Sequence, residues 1–160
     1  MKGGCCSMKT TKKFTKVEKS WILYDWANSV YATNILAVIF PIYFNSVCKA
    51  SGADNLVLWS YGTSAATFLV AVLAPVLGAL ADHKGHKKKL FAAFLFIGVT
   101  FTLSNAFVDS YQLLLAGYVL SHIGFSGSCL FYHSFLTDVT TPERMDRVSS
   151  WGYAMGYIGG

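Results

Sequence analysis

VLWSYGTSAATFLVAVLAPVLGALA runs from Val57 to Ala81 without a formal charge, and DHKGHKKK follows at once, from Asp82 to Lys89. A helix rises about 1.5 Å per residue, so this run is long enough to cross the ~30 Å hydrocarbon core of a bilayer. The four lysines after it stand where such a helix would return to water. Membrane β-strands would instead be ~10 residues long with strict apolar–polar alternation, and nothing in the stretch alternates. The reading is a membrane-spanning helix followed by a tight basic turn.

Three further apolar runs extend the pattern. Trp21–Val47 has 27 residues and one charge, Asp25; Leu90–Phe107 has 18 residues; Tyr111–Phe135 has 25 and includes His122 and His133. The chain is 54% hydrophobic and 13% charged, against about 25% charged in an ordinary soluble domain. Its mean hydropathy is +0.45. These features predict an all-α, polytopic membrane helix bundle with helices over about 21–47, 57–81, 90–107 and 111–135, four complete crossings in all. The stretch Val148–Gly160 is apolar and glycine-rich but too short to span. The expectation is therefore an incomplete fifth helix over 148–160, with 21–160 forming part of the N-terminal bundle of a longer protein. Residues 1–20 read as a basic, mostly unstructured tail with a short helical lead-in.

The formal net charge is +5. Its lysines flank apolar runs rather than covering a face, which argues against nucleic acid as a partner and for the bilayer. With the tail inside the cell, twelve of the thirteen Lys and Arg residues fall inside and only Lys49 falls outside. Positive charge is retained on the cytoplasmic side, so a cytoplasmic N-terminus is expected. No cleavable signal peptide is expected, because the first apolar stretch is too long for one. Cys5, Cys6, Cys48 and Cys129 show no metal or redox spacing and read as small fillers and a tail pair. No cofactor or metal is implied.

Within the first run, Asp25, Asn28, Ser29 and Ala32 recur at helical spacing on one stripe, with Tyr31 beside them. A polar stripe in a membrane helix faces the bundle interior or a watery cavity. Asp25 has two readings, as a cavity or gate carboxylate or as an anion at the positive end of its helix. Asn28 lies deeper. In the fourth run Gly117, Ser121, Gly124 and Ser128 are small residues at close-packing spacing, as are Gly152, Gly156 and Gly160 near the end. His122 reads either as a structural histidine or as a proton relay. No carboxylate shares a turn with either histidine of the fourth run, and no H-E-x-x-H motif occurs. An enzyme is not expected. Asp82, at the C-terminal end of its helix, opposes the helix dipole and so calls for a cation or another helix's N-terminus. Gly78, one turn earlier, allows a second helix to approach, and Gly85 supplies a positive φ in the turn.

Gly78-x-x-x-Asp82-x-x-Gly85-x-Lys87-Lys88 resembles the signature loop between helices 2 and 3 of the major facilitator superfamily. His83 and His86 stand where that pattern most often has arginine. The openings WILYDWANSVYAT (21–33) and FPIYF (40–44), with RVSSWGYAMGYIGG (147–160), are similar to its vacuole-effluxer-like, autophagy-related permease branch. That branch includes fungal vacuolar amino-acid effluxers and bacterial permeases. The resemblance implies a twelve-helix-type secondary transporter that moves a small solute, amino acids among the candidates, by alternating access. It implies a vacuolar membrane in a fungus and the cell membrane in a bacterium. It also implies that Asp82 latches this bundle to a C-terminal bundle, with Lys87 or Lys88 as its charge partner. Helix 4 lacks the intramembrane arginine of many proton-coupled members, which leaves coupling open. The other readings are a non-transporting membrane scaffold and a membrane-embedded enzyme.

Overall fold

The computed structural model describes residues 13–81 and 85–160. Its first helix, α1, runs from Lys16 to Ser51. It begins ahead of the apolar run because Thr15 and Glu18 form a capping box. The Thr15 hydroxyl accepts the Glu18 N–H at 3.2 Å, and the Glu18 carboxylate accepts the Thr15 N–H at 2.8 Å. Midway, across Tyr31–Ile39, α1 widens into a π-helix. The wider turn meets Pro41, which has no N–H to offer four residues back. Just before it, the Phe40 N–H already bonds the Ile35 carbonyl five residues back. The helix ends at Gly52 in the left-handed region, φ +69°, with its N–H and that of Ala53 closing onto the Lys49 and Cys48 carbonyls.

Four more helices and one short turn follow: α2, Asn55–Ala81; α3, Lys87–Asn105; α4, Tyr111–Ser134; α5, Leu136–Val139; α6, Pro142–Gly159. The expected fifth helix therefore starts at Pro142, ahead of the apolar stretch, where proline's fixed φ suits the first turn. No strand occurs among the described residues.

By length and composition, three elements among the described residues are long and apolar enough to cross a membrane: Lys16–Ser51, Asn55–Ala81 and Tyr111–Val139. α3 is shorter. Lysines fill its first turn, and Leu90–Asn105, the apolar remainder, rises only ~24 Å. It nevertheless lies antiparallel against α4 along its whole length, from Phe91 on Phe135, through Phe94 on Phe131, to Asn105 on Gly117.

α4 is the hub. It packs against α1, α2 and α3, and its glycines mark where the neighbours come closest. Gly124 faces the backbone of Gly98, Gly127 faces the Phe94 ring, and Gly117 faces the Asn105 side chain. A side chain at Gly117 or Gly124 would collide with these groups. On its far side α1 carries α6, running parallel to it, with Gly152 under the Trp21 ring and Gly156 beside Asp25 and Ser29. Buried aromatic clusters close the two ends of the bundle. Phe40, Phe44, Cys48, Leu114 and Tyr118 pack at one end, and Trp21, Ile22, Tyr132 and Val148 at the other. Leu56, Phe68, Val72 and Val76 of α2 point outward, as helices solvated by hydrocarbon do.

Candidate functional site

The polar groups of α1 are placed by its neighbours. Asn28 Nδ2 donates to the Cys129 thiol at 3.3 Å. One turn on, the hydroxyls of Tyr31, Thr102 and Ser121, from α1, α3 and α4, form a triangle with sides of 2.7, 2.5 and 2.6 Å. The triangle is anchored on the Gly98 carbonyl, which accepts from Thr102 at 2.7 Å and from Ser121 at 3.3 Å. Lipid offers no partner to a hydroxyl, so this internal closure lets three polar groups sit at membrane depth.

Asp25 and Ser29 face the other way. A Cβ on Gly156 would stand 3.0 Å from Asp25 Oδ2 and 2.9 Å from Ser29 Oγ, so the missing side chain makes room for both. Asp25 is also within electrostatic reach of His133 and Tyr132 on α4. Tyr132 is fixed by a reciprocal pair of hydrogen bonds. Its hydroxyl donates to the Trp21 carbonyl at 3.0 Å, and Trp21 Nε1 donates to the Tyr132 carbonyl at 3.2 Å, beneath rings stacked at 4.6 Å.

Two recesses flank α1. One, of about 210 Å³, lies between α1, α3 and α4 and is lined by Asn28, Tyr31, Phe125 and Ser128 among others. The other, of about 190 Å³, lies between α1 and α6 and is lined by Asp25, Thr33, Tyr153 and Tyr157. The stripe read from the sequence therefore straddles a seam: Asn28 and Tyr31 open on one side, Asp25 on the other, and Ser29 packs on Gly156. His122 lines neither recess. Its ring tilts against Tyr118 at 5.8 Å, and its Nδ1 is buried without a hydrogen-bond partner among the described residues.

Of the latch-loop residues, Asp82 lies outside the described residues, as do Cys5 and Cys6 of the tail. Gly85 takes φ +95°, and a Cβ on Gly78 would meet nothing within 4 Å, so that face of α2 is open. Lys87 Nζ pairs at 3.0 Å with Asp138, a residue the sequence reading did not single out. Lys88 is exposed beside it.

Sequence reasoning also passed over a buried ion pair at this end. Glu18, 2% exposed, accepts from Arg144 of α6 at 2.8 Å and from the Thr140 hydroxyl at 2.8 Å. It lies on the turn ahead of the apolar run. Burial pushes its pKa up, but the Thr15 N–H, the Thr140 hydroxyl and the Arg144 charge outweigh burial and hold the carboxyl below its ordinary value. The T-x-x-E capping signature at Thr15–Glu18 was the available signal. Cys129 carried no local signal, because its partner lies 101 residues away.

An all-α bundle of long apolar helices, with the hydroxyls of Tyr31, Thr102 and Ser121 paired inside, defines an integral membrane protein. The chain belongs to the vacuole effluxer Atg22 like family, a branch of the major facilitator superfamily, whose model matches residues 57–142. It is 45% identical over 153 residues to an uncharacterized MFS-type transporter, YxiO, of Bacillus subtilis, covering 92% of this chain and 36% of that protein. It is 27% identical over 142 residues to an uncharacterized protein of Aquifex aeolicus, covering 88% and 35%. Over 94 residues it is 31% identical to the multidrug resistance protein MdtG of Yersinia enterocolitica, covering 58% and 22%. The chain spans about a third of the length of the first two of these relatives. No solved structure matches it.

Proposed function

We propose that this chain forms part of the N-terminal half of a secondary transporter, a permease and not an enzyme, that moves a small solute by alternating access. The observation that carries this reading is the polar stripe of α1, where Asn28 and Tyr31 on the α4 side and Asp25 on the α6 side hold polar groups at membrane depth in a bundle of this family. Polar and ionisable residues inside a membrane are costly and rare, and they mark substrate or ion paths. In this reading the solute path draws on Asn28 and Tyr31 on one side of α1 or on Asp25 and Ser29 on the other, His122 is the proton-relay candidate beside Tyr118, and a C-terminal bundle supplies the facing wall. Gly78, Asp82, Gly85, Lys87 and Lys88 form the latch between the halves, and the lysine-rich end faces the cytoplasm. Within this proposal, amino acids are the first substrate class to test.

Counterflow in proteoliposomes tests the reading. The protein at its native length is loaded with single amino acids and then with amine-free solutes, and uptake of labelled solute is followed. Saturable counterflow with at least one solute is expected, reduced in Asp25→Asn and Asn28→Ala proteins that still insert. Unchanged kinetics in both variants would remove the seam from the path.

A further inference from the structure

The recess of about 190 Å³ between α1 and α6 has two unlike walls. One is a ladder of oxygens on α1, from Asp25, Ser29 and Thr33 at successive turns. It is left open because α6 sets glycines against it. A Cβ on Gly156 would stand 3.0 Å from Asp25 Oδ2 and 2.9 Å from Ser29 Oγ, and one on Gly160 would stand 2.6 Å from Thr33 Oγ1. The other wall is aromatic, because Tyr153 and Tyr157 lie on either side of Gly156 and line the same recess. Tyr153 is 61% exposed and Tyr157 87%, so neither ring is committed to the core of this bundle. The lining holds one formal charge, the Asp25 carboxylate, and no basic side chain. Asp25 takes no part in the Lys87–Asp138 and Glu18–Arg144 ion pairs, and the ionisable groups that α4 turns toward it are His133 and Tyr132.

We propose that this recess is a solute subsite selective for an organic cation, whose ammonium group is held at Asp25 beside the two tyrosine rings. The inference rests on the transporter reading and assigns the charged part of the solute to the α6 side of α1. A carboxylate attracts positive charge, and an aromatic face adds a cation–π attraction within about 6 Å of its centroid. An anion would be repelled, and a neutral solute would leave the carboxylate without a counter-charge at membrane depth. A bare metal ion fits poorly. Such ions draw oxygens to within about 2.3–2.6 Å, whereas residues four apart on a helix are separated by about 6 Å along its axis. Among the described residues, no three His, Cys, Asp or Glu side chains gather to hold one. The ladder suits an extended solute instead, with polar groups for Ser29 and Thr33 and an ammonium for Asp25. The space is sufficient for a small head group, since a cavity of about 150 Å³ accepts benzene.

The test uses the protein at its native length in mild detergent, with calorimetry as the readout. The probes are choline, ethanolamine and the neutral tert-butyl analogue of choline, which keeps its shape and lacks its charge. Wild type is expected to bind choline or ethanolamine about tenfold or more tightly than the neutral analogue, the scale of an interaction with a charged group. Asp25→Asn should erase that preference. Tyr153→Leu, at an exposed ring, should weaken cation binding about threefold, and Tyr153→Phe, which keeps the aromatic face, should bind as wild type does. Equal affinity for choline and its neutral analogue would overturn the proposal. So would failure of both cations to bind, or a preference that survives Asp25→Asn. Counterflow separates this inference from the reading beneath it. Saturable counterflow of neutral or anionic solutes that is indifferent to Asp25→Asn would leave a transporter and remove the cation subsite. Cation binding by a protein that exchanges no solute would keep the site and remove the transporter.

Discussion

Gly124 and Gly78 are the same residue type in neighbouring helices, yet their surroundings differ completely. Gly124 meets the backbone of Gly98, and Gly78 meets open space. Valine at position 124 must push α3 away from α4, a cost of about 1–3 kcal/mol or more for overpacking. Thermal unfolding in detergent should show it as a clear drop in midpoint. Gly78→Ala should leave that midpoint within the scatter of surface substitutions, about ±0.5 kcal/mol. If Gly78 serves a latch, Gly78→Leu should depress counterflow while sparing stability, and a loss of stability instead would place Gly78 in the packing of this bundle. Asn28→Ala removes one hydrogen bond to Cys129, worth roughly 1 kcal/mol. Its effect on transport should therefore exceed its effect on stability.

At the scale of elements, the starts of α1 and α6 are held together by Glu18 and Arg144. Glu18→Gln strands a partly buried guanidinium, and removing one partner of a buried pair costs ~3–5 kcal/mol. The lower end applies here because Arg144 keeps solvent contact, with 24% of its side chain exposed. The pH dependence follows from the lowered pKa of Glu18. A carboxyl whose pKa is depressed by folding stabilises fully above its unfolded value and loses that contribution as pH falls through the folded value. Acid unfolding of wild type should thus steepen below about pH 4.5, and Glu18→Gln should flatten that segment. Apolar runs and lysine spacing made the helices legible, because lipid imposes length and charge rules on each segment separately. The site was only half legible for the complementary reason. Helical spacing put Asp25, Asn28 and Ser29 on one stripe, but which neighbour each meets depends on helices more than a hundred residues away. The three-hydroxyl triangle was likewise hidden, since it needs three elements in place.

For the whole molecule, the separation of cations is a statement about orientation that labelling can check. In a cysteine-free background, Ser51→Cys should react with an impermeant maleimide on intact cells, and Ser20→Cys only after permeabilisation. The opposite pattern would invert the proposed topology. The hub position of α4 also bears on how such a chain is made. Asn28 and Trp21 find their partners at Cys129 and Tyr132, 101 and 111 residues later. At synthesis rates of about 5–20 residues per second, the first helix waits roughly 5–20 s for them. During that interval a carboxylate, an amide and a phenol remain on a lone helix at the exit of the ribosome and insertion machinery. Newborn α1 should therefore depend on the translocon or an insertase for shelter, and crosslinks from position 28 to that machinery should vanish once α4 has emerged.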